Sequence, residues 1–283
     1  MKEFDLIVIG AGSGLDVAVS ASEKGLKTAI IEKGPLGGTC LNRGCIPSKM
    51  LIHSADVISE IKKAHLFGIN VKINSIDFSK IISRVTKRVD KESKEIEHSL
   101  RHSKNPVLYK GECKFIDFKT IQINKEIIKA DKILIAAGAL PIIPDIKGLN
   151  KVNYITSTEA LRLKKQPKVM TIIGGGYIAA ELAHFYGSLG TKINIIQHNK
   201  LIVPREDQDI SNKITEIFKK KYNVFTEFEA EEVKKKGNNF IVKIKHNTKK
   251  IRKTIKSDQL LIAIGVRPNS DSLYLEKTKV NIN

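Results

Sequence analysis

The sequence predicts an α/β protein built on two tandem strand–turn–helix–strand units, and three observations carry that prediction. Phe4-Asp5-Leu6-Ile7-Val8-Ile9 is a short β-rich run that ends in Gly10-Ala11-Gly12-Ser13-Gly14. Val169-Met170-Thr171-Ile172-Ile173 leads in the same way into Gly174-Gly175-Gly176, about 160 residues later. Each turn is followed by a helical pattern and a second apolar strand, giving units of about 30 residues, the size of a βαβ crossover.

Taken in order, the first helical pattern runs through Val17, Ala18 and Ala21 to Gly25, and the strand Thr28-Ala29-Ile30-Ile31 ends on Glu32. Pro47 suits the first turn of a helix, which Leu51, Ala55 and Ile58 continue. Apolar residues at Phe78, Ile81, Ile82, Val85 and Val89, extended by Ile96 and Leu100, predict an amphipathic helix. A β-rich stretch covers Val107 to Lys129, and the strand Lys132-Ile133-Leu134-Ile135-Ala136 meets Ala137-Gly138. Pro141, Pro144 and Gly148 mark a connection, so a first domain is expected over residues 1–147. The second, over 148–265, has a helix from Ile178 to Gly187 and a strand, Ile193 to Ile196, that ends on Gln197. A β-meander pattern follows at Phe240–Lys245 and Ile251–Lys256, and a last apolar strand closes on Gly265. Residues 266–283 are expected to begin a return to the first domain.

Composition bounds the class. Of 283 residues, 41% are hydrophobic and 28% charged, a globular balance rather than a disordered one. No apolar run approaches the ~20 residues that span a bilayer, and from the strand-like start no signal peptide is expected. Three cysteines are too few for a secreted disulfide framework, so a reducing cytoplasm is expected. The formal charge is +19, but the lysines are scattered, and no aromatic residues interleave with the Lys219–Lys221, Lys234–Lys236 or Lys249-Lys250 clusters. A solvated basic surface is therefore expected, with no nucleic-acid partner and no membrane partner.

The glycine turns have a chemical meaning. One glycine at a strand end permits the tight turn, and a second lets backbone approach a pyrophosphate at the helix N-terminus. Gly10 and Gly12 supply these in the first unit, where Leu15 occupies the place of a third small residue. Glu32, at the end of the next strand, is placed to bind a ribose hydroxyl. The second unit keeps Gly174, Gly176 and Ala179, with Gln197 in the acidic position.

The segment Gly37-Gly38-Thr39-Cys40-Leu41-Asn42-Arg43-Gly44-Cys45-Ile46-Pro47-Ser48-Lys49 carries more. Cys40 and Cys45 are spaced to close a small disulfide loop, and Cys45 is expected at a helix N-terminus, where the dipole favours thiolate. Lys49 lies one turn later. A static disulfide is rare in the cytoplasm, and zinc normally takes four ligands, for which no second Cys/His cluster is present. A redox-active dithiol is favoured over both, and no metal site is expected.

Here the sequence resembles the FAD-dependent pyridine nucleotide–disulfide oxidoreductases, the group that contains dihydrolipoamide dehydrogenase, glutathione reductase, mycothione reductase and mercuric reductase. The resemblance spans the chain and implies two tandem Rossmann-like FAD/NAD(P)-binding domains with parallel sheets, the NAD domain inserted in the FAD domain. It implies FAD contacts at Gly10, Gly12, Gly14, Glu32, Lys33, Gly38, Thr39 and Lys49, with Cys113 beside the adenine. Ala136-Ala137-Gly138 resembles the family's Ala-Thr-Gly turn. Cys40 corresponds to the interchange thiol and Cys45 to the thiol next to the flavin, while Lys49 and Glu181 match an ion pair beside the flavin. Tyr177 matches an aromatic lid over the flavin that moves aside for nicotinamide, and Gly174, Gly176, Ile178, Gln197, His198 and Gly265 fall at the expected nicotinamide-nucleotide site.

Neither Gln197-His198 nor the neighbourhood of Pro204 is expected to supply an arginine for an extra phosphate, so NAD is favoured over NADP. The wording from Cys40 to Met50 is closest to dihydrolipoamide dehydrogenase and mycothione reductase, with Arg43 in place of the usual valine. The implied substrate is a small dithiol or disulfide, or a lipoyl domain, and the implied assembly a homodimer. The family continues into a second FAD segment and a dimerisation domain bearing a His-Glu pair. The chain is therefore expected to be truncated and to lack full disulfide turnover by itself.

Overall fold

The computed structural model describes residues 1–281; Ile282 and Asn283, at the end of the expected return segment, lie outside the described residues. In chain order the elements are β1 (Lys2–Ile9), α1 (Ser13–Glu23), β2 (Thr28–Glu32), α2 (Gly38–Arg43), α3 (Cys45–Lys63), α4 (Phe78–His102), β3 (Val107–Lys110), β4 (Cys113–Asp117), β5 (Thr120–Ile123), β6 (Glu126–Ile135) and β7 (Ala139–Pro141). There follow α5 (Ser157–Ala160), β8 (Val169–Ile173), α6 (Tyr177–Ser188), β9 (Lys192–Gln197), α7 (Gln208–Lys221), β10 (Asn223–Thr226), β11 (Phe228–Lys236), β12 (Asn239–His246), β13 (Arg252–Ser257), β14 (Gln259–Ile262) and β15 (Val266–Pro268). The chain forms two compact units. The first takes Met1–Pro47, Lys87–Leu140 and the segment from Arg267 onward, and the second takes Ser48–Thr86 and Pro141–Val266. The division thus runs through α3 and α4.

The first unit is built on a six-stranded sheet in the order β3-β2-β1-β6-β5-β4. The sequence predicts parallel sheets, and this one is mixed. β3, β2, β1 and β6 run parallel, while β5 pairs antiparallel with both β6 and β4. The cause is local: the β4–β5 and β5–β6 connections are hairpins too short for a parallel crossover. Ile7, Val8 and Ile9 are buried without alternation because both faces of β1 are covered. Ile7, Ile9 and Ile31 face one cluster, to which Leu273 and Leu275 of the return segment also belong. Val8 and Ile30 face the other, with Ala18 of α1 and Leu100 of α4. Each such isoleucine contributes about 1.5–3 kcal/mol by leaving water.

The second unit holds a four-stranded parallel sheet, β10-β9-β8-β14, and a three-stranded antiparallel sheet, β11-β12-β13. The meander pattern predicted two of the latter strands. β11 was hidden because its run of Glu and Lys residues shows little apolar alternation. Phe228, Val233, Phe240, Val242 and Ile244 bury its inner face. On α6, Ala179, Leu182, Ala183, Phe185 and Tyr186 are buried. Among the described residues no helix is long and apolar enough to cross a membrane.

Candidate functional site

The cysteine segment folds as two helices meeting at a glycine. Gly44 separates α2 from α3, and a methyl group on it would lie 2.8 Å from the Thr39 carbonyl oxygen. That contact is why the turn is tight enough to set Cys40 beside Cys45. Buried Asn42 fixes the loop from inside, its Nδ2 donating to the carbonyls of Leu36 at 2.8 Å and Gly38 at 2.9 Å. Both cysteines are exposed thiols. The Cys40 thiol is hydrogen-bonded to that of Cys45, which raises its pKa, and partial burial adds to the rise. The backbone N–H groups of Cys45 and Ile46 donate to the Cys40 sulfur and pull the other way. The open end of α3 therefore serves Cys40, whereas the sequence pointed to Cys45, which is itself the first residue of the helix.

A cavity of about 680 Å³ lies at the C-terminal ends of β1 and β2 in the first unit. Of the residues expected to hold FAD, Gly10, Gly12, Glu32, Lys33, Gly38, Thr39, Cys113, Ala137 and Gly138 line it, and Cys40 opens on it. Gly38 is pressed so closely on the first turn that a methyl there would stand 2.3 Å from Gly12 Cα. Glu32 Oε2 accepts from the Ala11 N–H at 2.9 Å and Oε1 from the Gly34 N–H at 2.7 Å, which holds the carboxylate at the cavity wall. Lys33 pairs with Glu112 at 3.0 Å. Burial pushes the Cys113 thiol up to about 11, which disfavours a thiolate there. Gly14 lies elsewhere, under α1, where a methyl would meet Val8 and Ala136 at 2.7 and 2.9 Å. It supplies the close helix–strand packing that Leu15 cannot.

Asn269 was not foreseen as structural. Its N–H donates to Gly138 O at 3.0 Å and its Nδ2 to Ala137 O at 3.1 Å, tying the return segment to the Ala-Gly turn. A glycine-lined cavity with a carboxylate at the end of β2 fits a dinucleotide such as FAD.

The second unit has a cavity of about 630 Å³ at the matching place. Gly174, Gly176, Tyr177, Ile178, Gln197, His198 and Gly265 all line it, and Tyr177 is 63% exposed. A methyl on Gly176 would meet nothing within 4 Å, so the backbone there is open to a ligand. Gln197 is buried, and its Nε2 donates to Leu201 O at 2.9 Å. Arg205 and Glu229 also line this cavity. Both were missed in the sequence: Arg205 adjoins Pro204 and corrects the expectation that no arginine stands there, and Glu229 belongs to the unforeseen β11. Arg205 therefore qualifies the expectation of NAD that the want of arginine at Gln197-His198 supports.

Lys49 and Glu181 do not line either cavity. Their ion pair is formed, with Nζ to Oε1 at 2.5 Å, and it joins α3 to α6 within the second unit. Two further contacts follow along the same helices. Asp56 Oδ1 lies 2.7 Å from His184 Nε2, and Lys62 Nζ donates to Ser188 O at 2.9 Å. Among the described residues no group of three or more His, Cys, Asp or Glu side chains could hold a metal ion.

These are the parts of a two-nucleotide redox protein, and residues 4–283 match the sequence profile of the pyridine nucleotide-disulphide oxidoreductases. The chain belongs to that family. This is a family of FAD-dependent oxidoreductases that use a pyridine nucleotide. Two family members show how the match is shared. A mercuric reductase of Lysinibacillus sphaericus is 36% identical over 98% of this chain and 51% of its own length. A dihydrolipoyl dehydrogenase of Bacillus subtilis is 35% identical over 99% of this chain and 60% of its own. In structure, the Cu(II) complex of the HOCl-induced flavoprotein disulfide reductase RclA from Escherichia coli superposes with a TM-score of 0.86 at 29% identity. That match covers 100% of this chain and 61% of the other. The chain thus spans about half to three-fifths of the length of these family members.

Proposed function

We propose that the chain carries the electron path of a flavoprotein disulfide reductase, from NAD(H) through FAD to the Cys40–Cys45 pair. The observation that supports this most directly is that Cys40 opens on the same glycine-lined cavity that Glu32 closes. FAD, when bound there, supplies two-electron transfer between a nicotinamide and the cysteine pair. The residues do the rest. Cys40, as thiolate, attacks a substrate disulfide and forms a mixed disulfide as one substrate thiolate leaves. Cys45 then attacks Cys40, releasing the second substrate thiolate and leaving a Cys40–Cys45 disulfide. Two electrons have passed to the substrate. The N–H groups of Cys45 and Ile46 support the attacking sulfur as an anion.

A small dithiol/disulfide or a lipoyl group is the substrate class we favour, with a homodimer as the assembly. A soft thiophilic cation held by the reduced pair is a second reading, favoured by the likeness to mercuric reductase. The test is a thiol count on FAD-loaded protein, oxidised and then treated anaerobically with NADH. Two new thiols are expected, and none in Cys40→Ser. An unchanged count in the wild-type chain rejects the reading. With Cys45→Ser, a stable adduct between Cys40 and a model disulfide is expected. It should form faster as pH rises and Cys40 ionises, because the thiolate is the attacking form.

A further inference from the structure

In a dinucleotide-binding βαβ unit a carboxylate at the end of the second strand accepts hydrogen bonds from the adenosine ribose. The second unit has Gln197 at that place, and its side chain is turned inward. It is 5% exposed, spends its amide nitrogen on Leu201 O, and packs on Gly175 so closely that a methyl there would lie 2.8 Å from its Cδ. It lines the cavity wall, but its amide is held against the glycine turn and the Leu201 carbonyl.

Another carboxylate reaches the same end of β9. Glu229, near the start of β11, lines the cavity with its Oε2 3.8 Å from His198 Nδ1. Its other oxygen takes the ammonium of Lys245 at 2.8 Å, and the β11–β12 register puts Glu229 directly opposite Lys245. The sheet therefore fixes the carboxylate from behind. The cavity lining as a whole carries Asp145, Glu206 and Glu229 against the single guanidinium of Arg205, in a chain whose net charge is +19.

We propose that Glu229 takes over the ribose-binding role from Gln197 and makes the site select NAD over NADP. This rests on the reading of the second cavity as the pyridine nucleotide site. Glu229 Oε2 accepts from the ribose hydroxyls, while a 2′-phosphate would bring a dianion against Glu229, with Lys245 already neutralised by it. Selectivity then comes from repulsion as much as from attraction.

The experiment is calorimetric titration of the purified chain with NAD⁺ and NADP⁺, which cannot reduce a flavin. The wild-type chain is expected to bind NAD⁺ at least tenfold more tightly. Glu229→Gln should weaken NAD⁺ about tenfold while leaving NADP⁺ unchanged or tighter, and Glu229→Asp should keep most of the preference. A Glu229→Gln variant with wild-type melting temperature and an unchanged NAD⁺/NADP⁺ ratio overturns the proposal and leaves the nucleotide site standing. So does a wild-type chain that prefers NADP⁺. Binding of neither nucleotide overturns both.

Discussion

The two glycine turns are built alike and finished differently. Gly10 and Gly174 have φ of +106° and +115°, and a methyl on each would stand 2.2 and 2.1 Å from the carbonyl oxygens of Ala136 and Ala263. Each N–H donates to the end of the neighbouring strand, Ile31 O at 2.8 Å and Ile196 O at 2.9 Å. The next residue likewise accepts from a following loop, Ala11 O from Gly37 N–H and Gly175 O from Val203 N–H. The units part at the end of the second strand. Glu32 folds back onto two backbone N–H groups, whereas Gln197 reaches a carbonyl. A carboxylate seeks donors and an amide nitrogen seeks acceptors, so one atom's identity decides which part of the loop is captured. It also explains why residue 175 is glycine where the first unit has alanine: Gln197 occupies the space.

The largest effect should come from breaking what the turns share. Gly10→Ala and Gly174→Ala each force a strained φ and a backbone clash, and each should cost about 3 kcal/mol or more in urea unfolding. Unequal losses would show that the likeness is only one of shape. Next comes the point of divergence. Gln197→Glu puts a buried carboxylate against the Leu201 carbonyl and should cost about 2 kcal/mol, while Glu32→Gln, which keeps an acceptor, should cost about 1 kcal/mol. A cost-free Gln197→Glu would mean that the second turn accepts the first unit's chemistry.

Smaller still is the effect of a methyl where nothing in the protein opposes it. Gly176→Ala should leave the melting temperature within a degree or two yet weaken dinucleotide binding about tenfold, roughly 1.4 kcal/mol. A stability loss in that variant would show that Gly176 serves the fold. The smallest expected change tests the sheet that presents Glu229. Hydrogen bonds from Lys243 at 2.8 Å and Lys234 at 3.0 Å lower the Glu232 carboxyl to about 2. Its contribution is present above the unfolded carboxylate pKa of about 4.3 and is lost as pH falls toward the folded value. The melting-temperature gap between wild type and Glu232→Gln should therefore narrow from pH 7 to pH 3.

Much of this was legible in the sequence because the signals are local. The turns need glycine at fixed offsets, Pro47 and the apolar spacing after it announce α3, and the cysteine segment is close to a signature. Hidden parts depended on partners distant in the chain. β11 has few apolar residues because only one face is covered, so its strand character rests on the β12 ladder. Nothing in the sequence marks the side chains of Asn269 and Asn42 as structural, because the carbonyls they satisfy are placed only by the fold. Gly14 read as a cofactor contact, although its use is to let α1 lie on β1 and β6.

By itself the sequence determined two βαβ units, their order, the dithiol segment and the family, since each follows from short-range spacing and steric permission. Tertiary structure decided what each group does with its bonds. It sent the α3 N–H groups to Cys40, turned the Gln197 amide onto the Leu201 carbonyl, and brought Glu229 and Arg205 to the cavity that Gln197 also lines. The physical reason is that a donor's partner is set by where the folded backbone places it, even when that partner is as near in the chain as Leu201 is to Gln197, and no residue pattern records the choice.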